Sequence, residues 1–441
     1  MKTIEPRLLK GFRDYLPQQM IARQRMMGTI AEVFERYGFS PLQTPALEHS
    51  DILLGKCGAD AEKLFYRFTD HGGRDVCLRY DLTVPLARVA AQYGDLPLPF
   101  KRYQIAPVWR AEKPGKGRFR EFFQCDVDIV GTSSLVADAE CVAVDNDVLS
   151  ALGVDDFTIN VNNRRILTGL LDALDLGLDG KARQGVLRTI DKLGAMGQEG
   201  VRGLLVTEDL VPANAVERII DFLAIEGTNE EKLAAAEGQI GGSQAGARGI
   251  GELRDVVTYA TRLGVPAHRI QVDLSIARGL DYYTGTVFET FLLGLPGFGS
   301  VMSGGRYDDL IGTFLGRDMP AVGISAGIDR LFSGMIELGL VEAPKTPTRV
   351  LVTSLAEDVL PQALSTAAAL RRAGLQTEVY LQAARLRKQL KYANQQGIEA
   401  VVIVGPDEVA ARELTIKLMQ TGEQLRVPLE GVAQKMSSLL A

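Results

Sequence analysis

Lys101–Gly131 reads KRYQIAPVWRAEKPGKGRFREFFQCDVDIVG. Two strand-like runs, KRYQIAPVWR and RFREFFQCDVDIVG, enclose the loop AEKPGKG, whose proline and glycines are turn chemistry. The pattern predicts a long antiparallel hairpin. Alternation sorts the second run into two faces. Phe119, Phe123, Cys125, Val127 and Ile129 share one face, with Glu121 the exception; Arg118, Arg120, Phe122, Gln124, Asp126 and Asp128 share the other. The first face is apolar and predicted to be buried. The second carries arginines toward the loop and carboxylates farther along. A lone amphipathic strand usually turns such a polar face to water. Here Phe122 interrupts the polar row beside several arginines, and a flat aromatic next to guanidinium groups suits a nucleotide: the base stacks, and phosphates meet planar forks.

The charge pattern supports a localised anion site. Over 441 residues the formal net charge is −6, which argues against a general nucleic-acid binder. Between Lys101 and Arg120, however, Lys101, Arg102, Arg110, Lys113, Lys116, Arg118 and Arg120 face Glu112 alone. The hydrophobic share of 46% and charged share of 24% are ordinary for a soluble globular protein. At roughly 100–200 residues per domain, the length implies more than one domain. MKTIEPRLLKGFRDYLPQQ contains no apolar h-region, which predicts no secretory signal, and runs such as AVVIVG are too short to span a bilayer. Cys57, Cys77, Cys125 and Cys141 show no CxxC spacing. With only three histidines they give no zinc-ligand pattern, and scattered thiols fit a reducing cytoplasm.

Outward from the hairpin, residues 18–37 have helical spacing and stop at Gly38. Residues 164–266 change character: Leu, Ala, Gly and charges recur at helical spacing, and GQIGGSQAGARGIG (238–251) reads as a flexible stretch. We expect a helical module inserted between two parts of one sheet domain. Farther on, SIARGLDYYTGTVFE (275–289) lies between a run alternating from Gln271 to Ile276 and a β-rich run from Thr286 to Leu293. Taken alone it reads as a hairpin whose tyrosines pack. AVGISAGIDRLFSGMIELG reads as a strand leading into a helix. A Pro-rich linker at 341–348 precedes strand (RVLVTSL), helix (359–373), strand (QTEVYL), helix (385–396) and strand (EAVVIVG), a small α/β domain.

Familiar catalytic signatures are missing. There is no GxxxxGK[ST] loop, no complete dinucleotide fingerprint and no GxSxG elbow, and histidines are too few for an easily assembled Ser-His-Asp triad. What remains open is chemistry by positioning and by stabilising charge on phosphates.

Taken together, the segments resemble class II aminoacyl-tRNA synthetases and, within them, the histidyl-tRNA synthetase family. YGFSPLQTPALE resembles motif 1, with Pro45 in the dimer-interface position; VWRAEKPGKGRFREFFQ resembles motif 2; AVGISAGIDRL resembles motif 3. RGLDYYTGTVFE and SGGRYDDL resemble the two histidine-specific signatures, and LRYDLTVPLAR also matches a family segment. Gly115 departs from many bacterial members, which carry a side chain there near the tRNA acceptor end.

The resemblance implies an α+β catalytic domain built on an antiparallel sheet flanked by helices (1–163 and 267–340), a helical insertion (164–266) and an anticodon-binding α/β domain (349–441). It implies that Arg110 and Arg278 act at the ATP α-phosphate, with Arg110 also on the substrate carboxylate. Glu112 would read the adenine end, Phe122 would stack on the base, and Arg118 and Arg330 would hold the γ-phosphate. Asp81, Thr83, Gln124 and Asp128 would receive the α-ammonium of histidine, while Tyr282, Tyr283 and Tyr307 would line the amino-acid pocket. ATP with Mg²⁺, L-histidine and its tRNA would be the ligands, and the assembly a cytoplasmic homodimer. The basic helix ARLRKQLKYANQQG, with Arg385, Arg387, Lys388 and Lys391, is suited to tRNA phosphates. Two rivals remain: a catalytically silent regulatory subunit of ATP phosphoribosyltransferase and a module that only binds tRNA. The four arginines at 110, 118, 278 and 330 and the segment after Pro347 favour the enzyme.

Overall fold

The computed structural model describes residues 4–54, 63–115, 117–208, 210–240, 242–277 and 282–440, so Arg278, Lys116 and Cys57 lie outside the described residues. The chain forms two compact units: Met1–Arg13 with Met26–Val341, and Asp14–Arg25 with Glu342–Ala441.

In the larger unit the strands are, in chain order, β1 (Ser40–Pro41), β2 (Leu47–His49), β3 (Arg67–Thr69), β4 (Asp75–Leu78), β5 (Phe100–Trp109), β6 (Glu121–Val130), β7 (Phe157–Asn163), β8 (Ile270–Val272), β9 (Thr286–Leu292), β10 (Met302–Arg306) and β11 (Ala321–Gly327). Eight of them form one sheet in the order β1-β5-β6-β11-β10-β9-β7-β8, and β2-β4-β3 form a small second sheet. The edge strands β1 and β8 pair parallel to their neighbours, while the strands between them pair antiparallel.

The expected hairpin is present: Phe100 pairs with Val130 and Trp109 with Glu121, without a bulge between. At its tip Gly115 and Arg118 exchange backbone hydrogen bonds, each of 3.0 Å, and Gly117 takes φ +66°, a left-handed conformation natural to glycine. The face predicted to be apolar is buried, with Val127 at 0% and Ile129 at 2% exposure. Each such side chain contributes about 1.5–3 kcal/mol. The opposite face is not solvated. Gln124, Asp126 and Asp128 are buried too, because β11 continues the sheet and a cavity, rather than bulk water, stands over them.

The structure corrects two expectations. The runs flanking the tyrosine segment do not form a hairpin. The first is a strand only over Ile270–Val272, and β7 lies between β8 and β9 and pairs with both. The glycine-rich stretch 238–251 is not a loose linker. It spans the end of helix Asn229–Ile240 and the start of helix Gln244–Arg262, with Ser243 accepting from the Gly246 amide. A Cβ added at Gly169 would come within 2.5 Å of the Gly246 Cα, and one at Gly249 within 2.9 Å of the Ile166 amide nitrogen. These glycines let helix Gln244–Arg262 lie against helix Arg164–Ala173 at backbone distance.

Arg306, at the end of β10, anchors the sheet to helix Leu135–Ala151. Its Nε lies 3.1 Å from each oxygen of Asp138, and its Nη2 pairs with the same carboxylate. Further bonds reach the carbonyls of Thr132 and Ser134, both at 3.1 Å. The glycines before it permit close strand contact: a Cβ on Gly304 would stand 2.1 Å from the Gly323 carbonyl oxygen.

The smaller unit holds a five-stranded sheet of β12 (Val350–Val352), β13 (Thr377–Val379), β14 (Ala400–Ile403), β15 (Glu413–Leu418) and β16 (Gln424–Pro428), in the order β13-β12-β14-β15-β16. The first three are parallel, as strand–helix alternation requires. The antiparallel pair β15-β16 completes the sheet. Helix Leu386–Gln396 buries Gln389, whose amide bonds the Ser354 and Ala384 carbonyls, and leaves Arg387, Lys388 and Lys391 exposed.

Candidate active site

A cavity of about 660 Å³ opens over the polar face of β6. Of the residues singled out in the sequence, Asp81, Thr83, Arg110, Glu112, Arg118, Phe122, Gln124, Asp128, Tyr282, Tyr283, Tyr307 and Arg330 line it. Arg278 is outside the described residues. Pro45 lies elsewhere, exposed, its carbonyl accepting from Arg79 Nη1 at 3.3 Å. The volume falls in the range of about 300–1,000 Å³ typical of small-ligand sites.

Toward the hairpin tip the lining is cationic and aromatic. Arg110 follows the last residue of β5, and its guanidinium lies 4.2 Å from the Tyr80 ring centroid and 5.1 Å from that of Phe122. Its Nε donates to the Tyr80 carbonyl at 3.0 Å. Held by two rings and a carbonyl, the fork is fixed before any ligand arrives. Arg118 is half exposed and approaches Glu112 at 3.6 Å. Arg330, in the first turn of helix Ile328–Glu337, donates to the Ser300 carbonyl at 2.9 Å. Its neighbour Asp329 accepts from the Phe123 amide at 2.8 Å, and burial raises its pKa to about 6.

The inner end is acidic. Asp81 accepts from the Val84 amide at 3.0 Å, at the start of helix Thr83–Gln92. Asp128 pairs with Arg102 at 2.6 Å, both side chains almost fully buried, and accepts from the Tyr307 hydroxyl. Arg102 is its cross-strand partner on β5. Gly323 makes room for this carboxylate, since a Cβ there would meet Asp128 Oδ1 at 2.0 Å. Burial pushes Asp128 up, and Arg102 and the Tyr307 hydroxyl oppose the shift. Asp126, two residues earlier on the same face, is raised to about 7 by burial, against the pull of Arg102 and with reinforcement from Asp128. Tyr282 stacks edge-on with Tyr283 (centroids 4.5 Å) and with Tyr307 (6.3 Å), forming an aromatic wall beside the carboxylates.

Three contributors were not singled out as site residues. Asp126 had a signal, its place in the alternating row with Gln124 and Asp128. Ser325 and the role of Arg102 had none, because only strand pairing puts Ser325 opposite Asp126 and Arg102 opposite Asp128. A cavity cationic and aromatic at one end, acidic and aromatic at the other, accommodates a zwitterion beside a nucleotide.

Residues 11–331 match the family model of histidyl-tRNA synthetase, and residues 349–439 that of an anticodon binding domain. The chain is 47% identical over 421 residues to the histidine–tRNA ligase of Rhodopirellula baltica, covering 95% of each chain. It is 43% identical over 424 residues to that of Wolinella succinogenes, covering 96% of this chain and 95% of the other. The crystal structure of histidyl-tRNA synthetase from Nostoc sp. PCC 7120 superposes with a TM-score of 0.86 at 36% identity, covering 99% of this chain and 100% of that one. An ATP phosphoribosyltransferase regulatory subunit/histidyl-tRNA synthetase from Bacillus halodurans shares the fold, with a TM-score of 0.76 at 21% identity over 91% of this chain and 99% of that one. The fold and its cavity are of the aminoacyl-tRNA synthetase type. The chain belongs to the histidyl-tRNA synthetase family.

Proposed function

We propose that this protein ligates L-histidine to its tRNA in two steps, forming histidyl-adenylate and pyrophosphate from ATP and then transferring the histidyl group to the 3′ end of the tRNA. The observation that carries the reading is the single cavity lining that joins Arg110, Phe122 and Arg330 to Gln124, Asp126 and Tyr307. Adenylate formation is in-line attack by a carboxylate on a phosphorus, so the protein's task is to align two anions and neutralise growing charge.

Arg110 takes the α-phosphate and the attacking carboxylate, and Arg278 adds a second guanidinium there. Phe122 stacks on the adenine, Glu112 reads its edge, and Arg118 and Arg330 hold the γ-phosphate. Asp81, Thr83 and Gln124 face the ammonium group. Asp128, expected to do the same, has its carboxylate engaged by Arg102 and Tyr307; we assign it instead to holding Tyr307 at the imidazole end, with Tyr282 and Tyr283 completing that wall. ATP would bring Mg²⁺, which would neutralise phosphate charge and take most of its ligands from the phosphates and water.

ATP–pyrophosphate exchange measured with each of the twenty amino acids tests the reading. Exchange is expected with histidine alone and only with a divalent cation present. Exchange with a different amino acid would overturn the assignment, and histidine binding without any exchange would make the protein the regulatory paralogue.

A homodimer is proposed as the working assembly. Pro45 is exposed in the motif 1 segment, Leu47 beside it is 39% exposed, and two-fold dimers are the commonest assembly. Light scattering at micromolar concentration should give twice the 47.9 kDa of one chain; a mass of one chain contradicts the proposal.

A further inference from the structure

Tyr283 and Tyr307 come from different parts of the chain, and each is followed directly by a polar residue, Thr284 and Asp308. β9 and β10 pair antiparallel as far as Val287 and Gly305. Continued past that last pair, the register sets Thr284 opposite Asp308, and their side chains meet there. Thr284 Oγ1 donates to Asp308 Oδ2 at 3.0 Å and accepts from the Asp308 amide at 3.1 Å. The Thr284 amide donates to the Arg306 carbonyl at 2.8 Å. The other oxygen of Asp308 lies 3.2 Å from Arg306 Nη1, so hydroxyl and guanidinium share the carboxylate.

Neither Thr284 nor Asp308 lines the cavity, whereas Tyr283 and Tyr307 both do. The clamp therefore acts from behind, at the backbone that carries the two rings. Tyr307 is fixed on its own account: its amide donates to the Ala321 carbonyl at 2.7 Å and its hydroxyl to Asp128. The Tyr283 ring rests on Gly305, where an added Cβ would come within 3.0 Å of its Cδ1. The hydroxyl of Thr284 donates and accepts at once, which ties the Tyr283 backbone to the Tyr307 backbone. Valine has the same shape and can do neither.

We infer that Thr284, joined to Asp308, is a positioning residue for amino-acid recognition. It sets Tyr283 against Tyr307 and so fixes the aromatic wall of the pocket before the amino acid enters. Without the tie, the segment would be ordered only on binding, at an entropic cost carried by the amino acid and not by ATP at the cationic end of the cavity. The inference rests on the reading of the protein as a histidine ligase and deepens it.

ATP–pyrophosphate exchange by the full-length chain tests it, with KM measured for histidine at saturating ATP and for ATP at saturating histidine. In Thr284→Val the KM for histidine should rise by about 5–20-fold and that for ATP by less than about 2-fold, the scale of two lost hydrogen bonds felt at one substrate. Thr284→Ser restores the hydroxyl and should bring the histidine KM back to within about 3-fold of wild type. Equal rises in both KM values, no rise in either, or a Ser variant as impaired as the Val variant overturns the inference. If Thr284→Val does not fold, Asp308→Ala takes its place: Arg306 keeps Asp138, and Thr284 loses the carboxylate it donates to. The same selective rise for histidine is expected, and an unselective rise or none overturns the inference. Wild-type exchange that does not respond to histidine would instead sink the functional reading, so the two failures are distinguishable.

Discussion

Arg110→Ala is expected to lower histidine-dependent ATP–pyrophosphate exchange by about 10²–10³, the cost of removing one preorganised donor from a developing oxyanion. The structure makes the preorganisation concrete. The guanidinium is confined by the Tyr80 and Phe122 rings, 4.2 and 5.1 Å from their centroids, and its Nε is spent on the Tyr80 carbonyl. No reorganisation is needed when charge grows on the phosphate. Arg110→Lys should recover only part of the loss, because a point charge on a flexible stem can neither lie between two rings nor bridge two oxygens. An arginine that merely decorated the surface would cost less than about 1 kcal/mol. A folded Arg110→Ala protein with near-normal exchange would therefore remove Arg110 from the chemistry. Arg278→Ala, at a residue the family resemblance places on the same phosphate, should lose activity of the same order in the same assay.

Asp138→Ala should destabilise the larger unit by about 3–5 kcal/mol, the cost of leaving a buried charge unpaired. Arg306 is the charge concerned. Its side chain is 4% exposed, that of Asp138 is fully buried, and the two form a fork-to-carboxylate pair. Asp308, at 3.2 Å and partly exposed, remains as a weaker partner. Because Arg306 directly precedes Tyr307, the defect should also loosen the hydroxyl that bonds Asp128. Chemical denaturation is the measurement. A midpoint unchanged from wild type would show that the Thr132 and Ser134 carbonyls and Asp308 suffice to hold the guanidinium.

Local periodicity was legible wherever neighbours along the chain set the structure. The hairpin around Gly115 could be read from period-two alternation and turn residues, and helix Pro17–Arg36 from its spacing and the glycine at 38. Legibility failed where glycine had two meanings. At 238–251 the residues that free an isolated chain serve instead to bring helix backbones together, and nothing local distinguishes the two uses. It failed also at Gln271–Ile276, where alternation predicted a strand but could not say that the strand belongs beside β7 rather than β9.

The sequence by itself determined which residues share the polar face of β6, that cationic and acidic groups are separated along it, and, through the two signatures, the family to which the chain belongs. These are properties of residue order and spacing, and they need no partner. Only the tertiary structure decided which of those groups are already engaged. Arg102 meets Asp128 because β5 pairs with β6 in one register, and Ser325 meets Asp126 because β11, nearly two hundred residues later in the chain, closes the other side of the same strand. The outcome is a carboxylate at 128 held by Arg102 and the Tyr307 hydroxyl, and one at 126 set opposite Ser325, two positions the alternation had left equivalent. Pairing across a sheet is set by contacts distant in sequence, so the difference between them belongs to the fold.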